Sequence, residues 1–249
     1  MKIKLNDNFL KIPIAHRGCH NNEIAENSLN AFKIAKNRKI AIELDIYKLK
    51  DDNFAVFHDE NMQRMTGNDI LISSLTKSDL QNYKLFDNQK IPLLSDVLNL
   101  INGEVPLLIE LKPEGGFNQK NIQLLLDILD KYNHNDKIAI QSFNPLTVRA
   151  VKKLTDKYPV GLLSSFNLKN IKGLKKYLLK SLFLFNYSKA DFVAYDIKYI
   201  ANKYVSKLKK KNIPILSWVV DNNEKLEIAK KYADNIIFEN LEILENYEK

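Results

Sequence analysis

Two histidines, three acids, an arginine and a lysine stand at or just beyond the ends of apolar runs. Ile12-Pro13-Ile14-Ala15 leads into His16-Arg17, and Ile40-Ala41-Ile42 into Glu43-Leu44-Asp45. Phe54-Ala55-Val56-Phe57 leads into His58, and the run from Val105 ends in Glu110-Leu111-Lys112. Polar groups at the exits of buried strands are where an α/β protein keeps its chemistry, because the scaffold is rigid and the mouth open. Residues two apart on a strand share a side, so Glu43 and Asp45 project together, as do Glu110 and Lys112.

Inward carboxylates are costly unless something positive meets them. An isolated Glu-x-Asp reads first as a structural ion pair. A third acid from another strand, with two histidines at neighbouring exits, favours an oxygen-rich site for one divalent cation, Mg²⁺ or Ca²⁺. His16 and His58 are two of only 4 histidines, and imidazole exchanges protons near neutral pH. Arg17 and Lys112 carry fixed positive charge suited to a phosphate's non-bridging oxygens. Together these groups describe metal-assisted cleavage of a phosphate ester.

Such groups need a frame that gathers strand ends. Hydrophobic periodicity predicts strands at Ile12–Ala15, Ile40–Tyr47, Val105–Leu111, Lys137–Ser142, Pro159–Leu163, Phe192–Tyr195, Ile213–Val220 and Asn235–Phe238. Helices are expected between them: Ser28–Lys36, Ser95–Ile101 with Ser95 as cap, Gln119–Tyr132, Pro145–Lys157, Leu168–Leu182, Ile200–Lys210 and Asn223–Lys231, then a closing Leu241–Tyr247. Phe54–Phe57 reads as a hairpin arm that opens a polar insertion, with a short helix near Ser78–Tyr83. Eight strand–helix units in 249 residues fit a (β/α)8 TIM barrel with a small insertion after the second strand. An open doubly wound sheet is disfavoured, because no Gly-x-Gly-x-x-Gly follows a strand. The expectation is one domain, 1–249, with the insertion at about 60–104.

Composition narrows the function classes. Hydrophobic residues make up 45% of the chain, enough for a sizeable core. The single Cys19 excludes an intrachain disulfide and fits a reducing compartment. No signal peptide is evident near Met1–Phe9, and no apolar run approaches the roughly 20 residues of a membrane span. A cytoplasmic protein without stable membrane association is expected. A net charge of +8, from 38 basic and 30 acidic residues, would suit an anionic partner. The surplus lies in Lys169–Lys180 and Lys203–Lys211, which read as solvated helix faces. With only Tyr177 and Tyr204 interleaved, no nucleic-acid partner is expected. Oligomeric state is not legible.

His16-Arg17-Gly18, Glu26-Asn27-Ser28, Ile42-Glu43-Leu44-Asp45, His58-Asp59, Arg64-Met65-Thr66-Gly67 and Glu110-Leu111-Lys112 occur in an order and spacing that resemble the glycerophosphodiester phosphodiesterases. Gln141-Ser142-Phe143 and Ser217-Trp218-Val219-Val220-Asp221-Asn222 extend the resemblance over the chain. It implies His16 and His58 as the acid–base pair, Glu43, Asp45 and Glu110 as metal ligands, and Arg17 and Lys112 at the phosphate. It further implies Phe143 and Trp218 at the glycerol end of the pocket. The implied reaction is metal-dependent hydrolysis of a small glycerophosphodiester to sn-glycerol 3-phosphate and an alcohol. A phospholipase-D-like or lysophospholipid-cleaving activity, with Leu182–Phe185 as an apolar rim, is the nearest alternative. A non-catalytic phosphoester-binding barrel is the other. Ile236-Ile237-Phe238-Glu239 departs from the family's Ile-Ile-Thr-Asp, and no role follows for Cys19 or His20.

Overall fold

The computed structural model describes residues 4–165 and 183–247. The expected helix 168–182 and the lysine-rich segment 169–180 lie outside them, as does the first residue of the apolar run 182–185. Within that run Phe185 is buried, so it packs in the core rather than forming a rim.

Among the described residues there are nine strands: β1 Ile14–Ala15, β2 Ala41–Lys48, β3 Phe54–Val56, β4 Leu107–Leu111, β5 Ile138–Ser142, β6 Val160–Ser164, β7 Phe192–Asp196, β8 Ile215–Val220 and β9 Asn235–Phe238. Their order is β1-β9-β8-β7-β6-β5-β4-β2-β3, and β1 also pairs with β2. Eight of them make a parallel barrel with helices, a TIM barrel, and β3 is an extra antiparallel strand bonded to β2.

The chain divides into two compact units. In the unit Ala15–Ile138 every residue of β2 is buried, because β4 flanks it on one side and β3 on the other. The β2–β4 register sets Asp45 beside Glu110. The insertion that follows β3 has an apolar core of its own. Met62, Met65, Ile72, Leu75, Leu80 and Leu85 pack with Tyr47 and Phe57. Burying so many apolar side chains, at about 25 cal/mol per Å², fixes a segment that reads as polar in sequence.

In the other unit, Met1–Ile14 with Ala139–Lys249, β6 to β9 pair in parallel register. Asp191 accepts Val160 N–H at 2.9 Å and Lys152 Nζ at 2.8 Å. Asn235 Nδ2 donates to the carbonyls of Phe9 and Ile12 at 2.8 and 2.7 Å.

Several boundaries differ from expectation for local reasons. The first strand is only Ile14–Ala15, because Ile12 caps a helix, Asp7–Lys11, whose own N-cap is Asn6. Five residues are too few to show helical periodicity. Ser95 is not a cap: Asp96 Oδ2 accepts Leu93 N–H at 2.9 Å, so the helix begins at Leu94. The expected helix 200–210 shortens to Lys203–Lys209, since Asn202 accepts Tyr204 and Val205 N–H and starts it there. Helix Gln119–Tyr132 and strand Asn235–Phe238 stand where the pattern put them.

Candidate functional site

Arg17, Gly18 and Asn27 make the first side of the site, and all three have positive φ: 55°, 80° and 54°. Asn27 N–H donates to Arg17 O at 3.0 Å, closing the loop between them. Ser28 then caps helix Leu29–Asn37, its hydroxyl accepting Ala31 N–H at 3.2 Å. The loop is also held from the insertion, where Asp87 accepts Ala25 N–H at 2.9 Å and Gln89 accepts Asn30 N–H at 3.1 Å. From this fixed turn Asn27 Nδ2 reaches Asp45 Oδ2 at 2.9 Å, and Arg17 N–H reaches Glu43 Oε2 at 3.1 Å.

β2 and β4 supply the acids. Glu43 and Asp45 are 1% exposed and Glu110 is 6% exposed. One oxygen from each lies within 4.8 Å of the others. Lys112 Nζ stands 3.0 Å from Glu110 Oε1 and 3.4 Å from Asp45 Oδ1, and Arg17 Nε is 3.3 Å from Asp45 Oδ2. Burial alone would raise the Asp45 carboxyl, but Lys112, Arg17, His58 and His16 outweigh it and hold it well below the ordinary range. The two glutamates behave oppositely. Burial and the charges of Asp45 and Glu110 push Glu43 well above its usual value. Burial and Asp45 push Glu110 up to about 7, against the pull of Lys112. Burial thus outweighs the local cations at the two glutamates, whereas at Asp45 the cations win. The donors are all oxygens, so the set fits a hard divalent cation.

His58 follows β3 and is aimed by three contacts. Phe57 N–H donates to Asp45 O at 3.0 Å, Tyr47 Oη donates to His58 O at 3.3 Å, and His58 Nδ1 lies 2.6 Å from Asp59 Oδ1. Burial lowers the His58 pKa, with Arg17 and Lys112 adding to it and Asp45 opposing. His16 Nε2 is 4.0 Å from Glu43 Oε2. The structure thus gathers His16, Arg17, Glu43, Asp45, His58, Glu110 and Lys112 within one unit.

Glu26, Asn27, Asp59 and Arg64 form a further layer, visible in the sequence only as members of quoted motifs. Glu26 Oε1 accepts from Arg17 Nη1 at 2.8 Å and from Arg64 Nη2 at 2.6 Å. Phe143 and Trp218 belong to the other unit, where they meet edge to face with ring centroids 5.5 Å apart. Cys19 is buried, and its thiol is pushed up to about 11 by that burial, which makes it a poor nucleophile. No helix among the described residues is long and apolar enough to cross a membrane.

Comparison with known proteins agrees with this geometry. A glycerophosphodiester phosphodiesterase of Caldanaerobacter subterraneus subsp. tengcongensis is 29% identical over 244 residues, covering 94% of this chain and 96% of its own. Human Lysophospholipase D GDPD1 is 32% identical over 139 residues, 50% of this chain and 43% of its own. Among solved structures, an Oleispira antarctica phosphodiesterase in complex with the product sn-glycerol-3-phosphate superposes with TM-score 0.80 at 20% identity, covering 96% and 97% of the two chains; at that identity the likeness concerns the fold. The model of the Glycerophosphoryl diester phosphodiesterase family matches residues 16–241. With that span matched from His16 onward, the chain belongs to the glycerophosphoryl diester phosphodiesterase family and is a phosphodiesterase of that family.

Proposed function

We propose that this chain hydrolyses a small glycerophosphodiester to sn-glycerol 3-phosphate and an alcohol. His16 and His58 serve as its acid–base pair, and Glu43, Asp45 and Glu110 would hold one divalent cation, Mg²⁺ or Ca²⁺. The observation that carries this reading is the buried triad, three carboxylate oxygens within 4.8 Å, in a chain of this family. A bound cation supplies Lewis acidity and charge neutralisation at the ester.

The chain's own groups do the rest. Asp59 holds His58 through Nδ1, which leaves Nε2 to carry a proton to or from the ester. His16 stands on the Glu43 side and takes the opposite role, so that one imidazole removes the attacking proton while the other protonates the leaving oxygen. Arg17 and Lys112 offer donors and fixed charge to the non-bridging oxygens, where negative charge builds in the transition state. Phe143 and Trp218, assigned through the family resemblance, are proposed to contact the organic part of the substrate.

The test is release of glycerol 3-phosphate from a panel of glycerophosphodiesters with Mg²⁺, Ca²⁺ or chelator. Cation-dependent release is expected from soluble diesters. Turnover confined to micellar lysophospholipid would overturn the substrate assignment, and binding without release would favour a non-catalytic barrel.

A further inference from the structure

Arg64 lies on the short helix Gln63–Thr66 of the insertion, outside the set of groups that meet the acids. Its guanidinium nevertheless joins two of the site's supports. Nε donates to Asp59 Oδ2 at 2.6 Å, and the other oxygen of that carboxylate holds His58 Nδ1 at 2.6 Å. Nη2 and Nη1 donate to Glu26 Oε1 and Oε2 at 2.6 and 3.1 Å, and Glu26 Oε1 also holds Arg17 Nη1 at 2.8 Å. One planar fork therefore fixes two carboxylates, and each of these holds a site group.

We infer that Arg64 is a positioning residue for the reaction, setting the ring orientation of His58 through Asp59 and the direction of the Arg17 guanidinium through Glu26. The inference rests on the roles proposed above for His58 and Arg17. A lysine cannot substitute, because a single ammonium lacks the flat set of N–H groups that addresses two carboxylates in different directions. Without Arg64, Glu26 is free to turn wholly to Arg17 and Asp59 to swing away from the imidazole. Misplacement of reacting groups by about 1 Å costs roughly 10²-fold in rate.

The exposure of Arg64 separates positioning from stabilisation. Its side chain is 48% exposed and that of Asp59 25%, while Glu26, 12% exposed, keeps Arg17 as an ion-pair partner when Arg64 is removed. Pairs largely open to solvent add little to stability. The insertion is meanwhile held by its own apolar core, which includes the neighbouring Met62 and Met65. Removing the guanidinium should therefore disturb turnover far more than folding.

The experiment compares R64A, R64K, D59N, H58A and R17A, measuring kcat and KM on a soluble glycerophosphodiester and the thermal midpoint of each variant. R64A is expected to lower kcat by about 10–100-fold, with a wild-type thermal midpoint and a smaller change in KM. R64K should recover only a small part, whereas guanidinium ion added to R64A should restore part of kcat. R64A made on top of D59N should cost less than R64A alone, because the shared path is already cut. Wild-type kcat in R64A, full rescue by R64K, or a loss of rate explained by a fall in thermal midpoint would each overturn the inference. If H58A and R17A keep near-wild-type rates, the underlying site reading fails instead, and the two failures are told apart within one series.

Discussion

The acids differ although they share one cluster, and that difference has a measurable pH signature. Burial and Asp45 push Glu110 from an ordinary 4.5 up to about 7 in the folded chain. As pH rises through that window the unfolded chain loses this proton first. The unfolded state then binds fewer protons than the folded one, and stability falls with pH until the folded group has also ionised. In chelator, E110Q should therefore show a smaller decline in thermal midpoint between pH ~5 and pH ~8 than the wild type; parallel declines would place the effect elsewhere. Asp45 runs the other way. Its pKa is held low by Lys112 and Arg17 against burial, so its contribution is present above the ordinary aspartate range and is lost only as pH falls through its depressed value. For the histidines, H16A and H58A are each expected to fold while losing about 10²–10⁴-fold in turnover. Near-wild-type rates in both, read alongside circular dichroism, would remove the acid–base assignment. That these residues would cluster was legible in the sequence, because strand exits and i, i+2 spacing are written locally. It could not show that Glu26 and Arg64 meet, since 38 positions separate them.

Among the elements, the turn from Arg17 to Ser28 does the most to place the site. Gly18 has φ 80°, and a Cβ there would lie 2.9 Å from both Ala31 Cβ and Phe32 Cδ1. G18A is therefore expected to cost roughly 1–3 kcal/mol through strain and crowding, shifting Asn27 and Arg17 with it. S28A removes a buried cap and should cost about 1 kcal/mol; chemical denaturation measures both. A variant G18A as stable as the wild type would show that the turn can relax. Sequence periodicity found the long elements, such as Gln119–Tyr132, where four leucines and isoleucines line one buried face. It missed Asp7–Lys11, and it read the insertion as polar, because Met62, Met65, Ile72, Leu80 and Leu85 are scattered among charges and meet only in three dimensions. Cap position was equally hidden. Asp96 reaching back to Leu93 outcompetes Ser95, a choice that depends on backbone geometry rather than composition.

For the molecule as a whole, occupancy of the acid triad should register as global stability. Mg²⁺ or Ca²⁺ at about 100 times its Kd should add roughly 2.7 kcal/mol to unfolding, visible as a raised thermal midpoint that D45N abolishes. An unchanged midpoint with saturating cation would remove the triad as a metal site. The barrel itself was legible because its alternation of apolar strand and amphipathic helix recurs along the chain. The grouping of Met1–Ile14 with Ala139–Lys249 was not, because nothing local announces that Asn235 will bond the carbonyls of Phe9 and Ile12. That bond has a consequence for biosynthesis. Phe9 leaves the ribosome 226 residues ahead of its partner, so its carbonyl must wait without that partner until Asn235 has been made. A nascent chain stalled before Asn235 would hold that early segment unpaired, available to chaperones and to proteases until translation catches up.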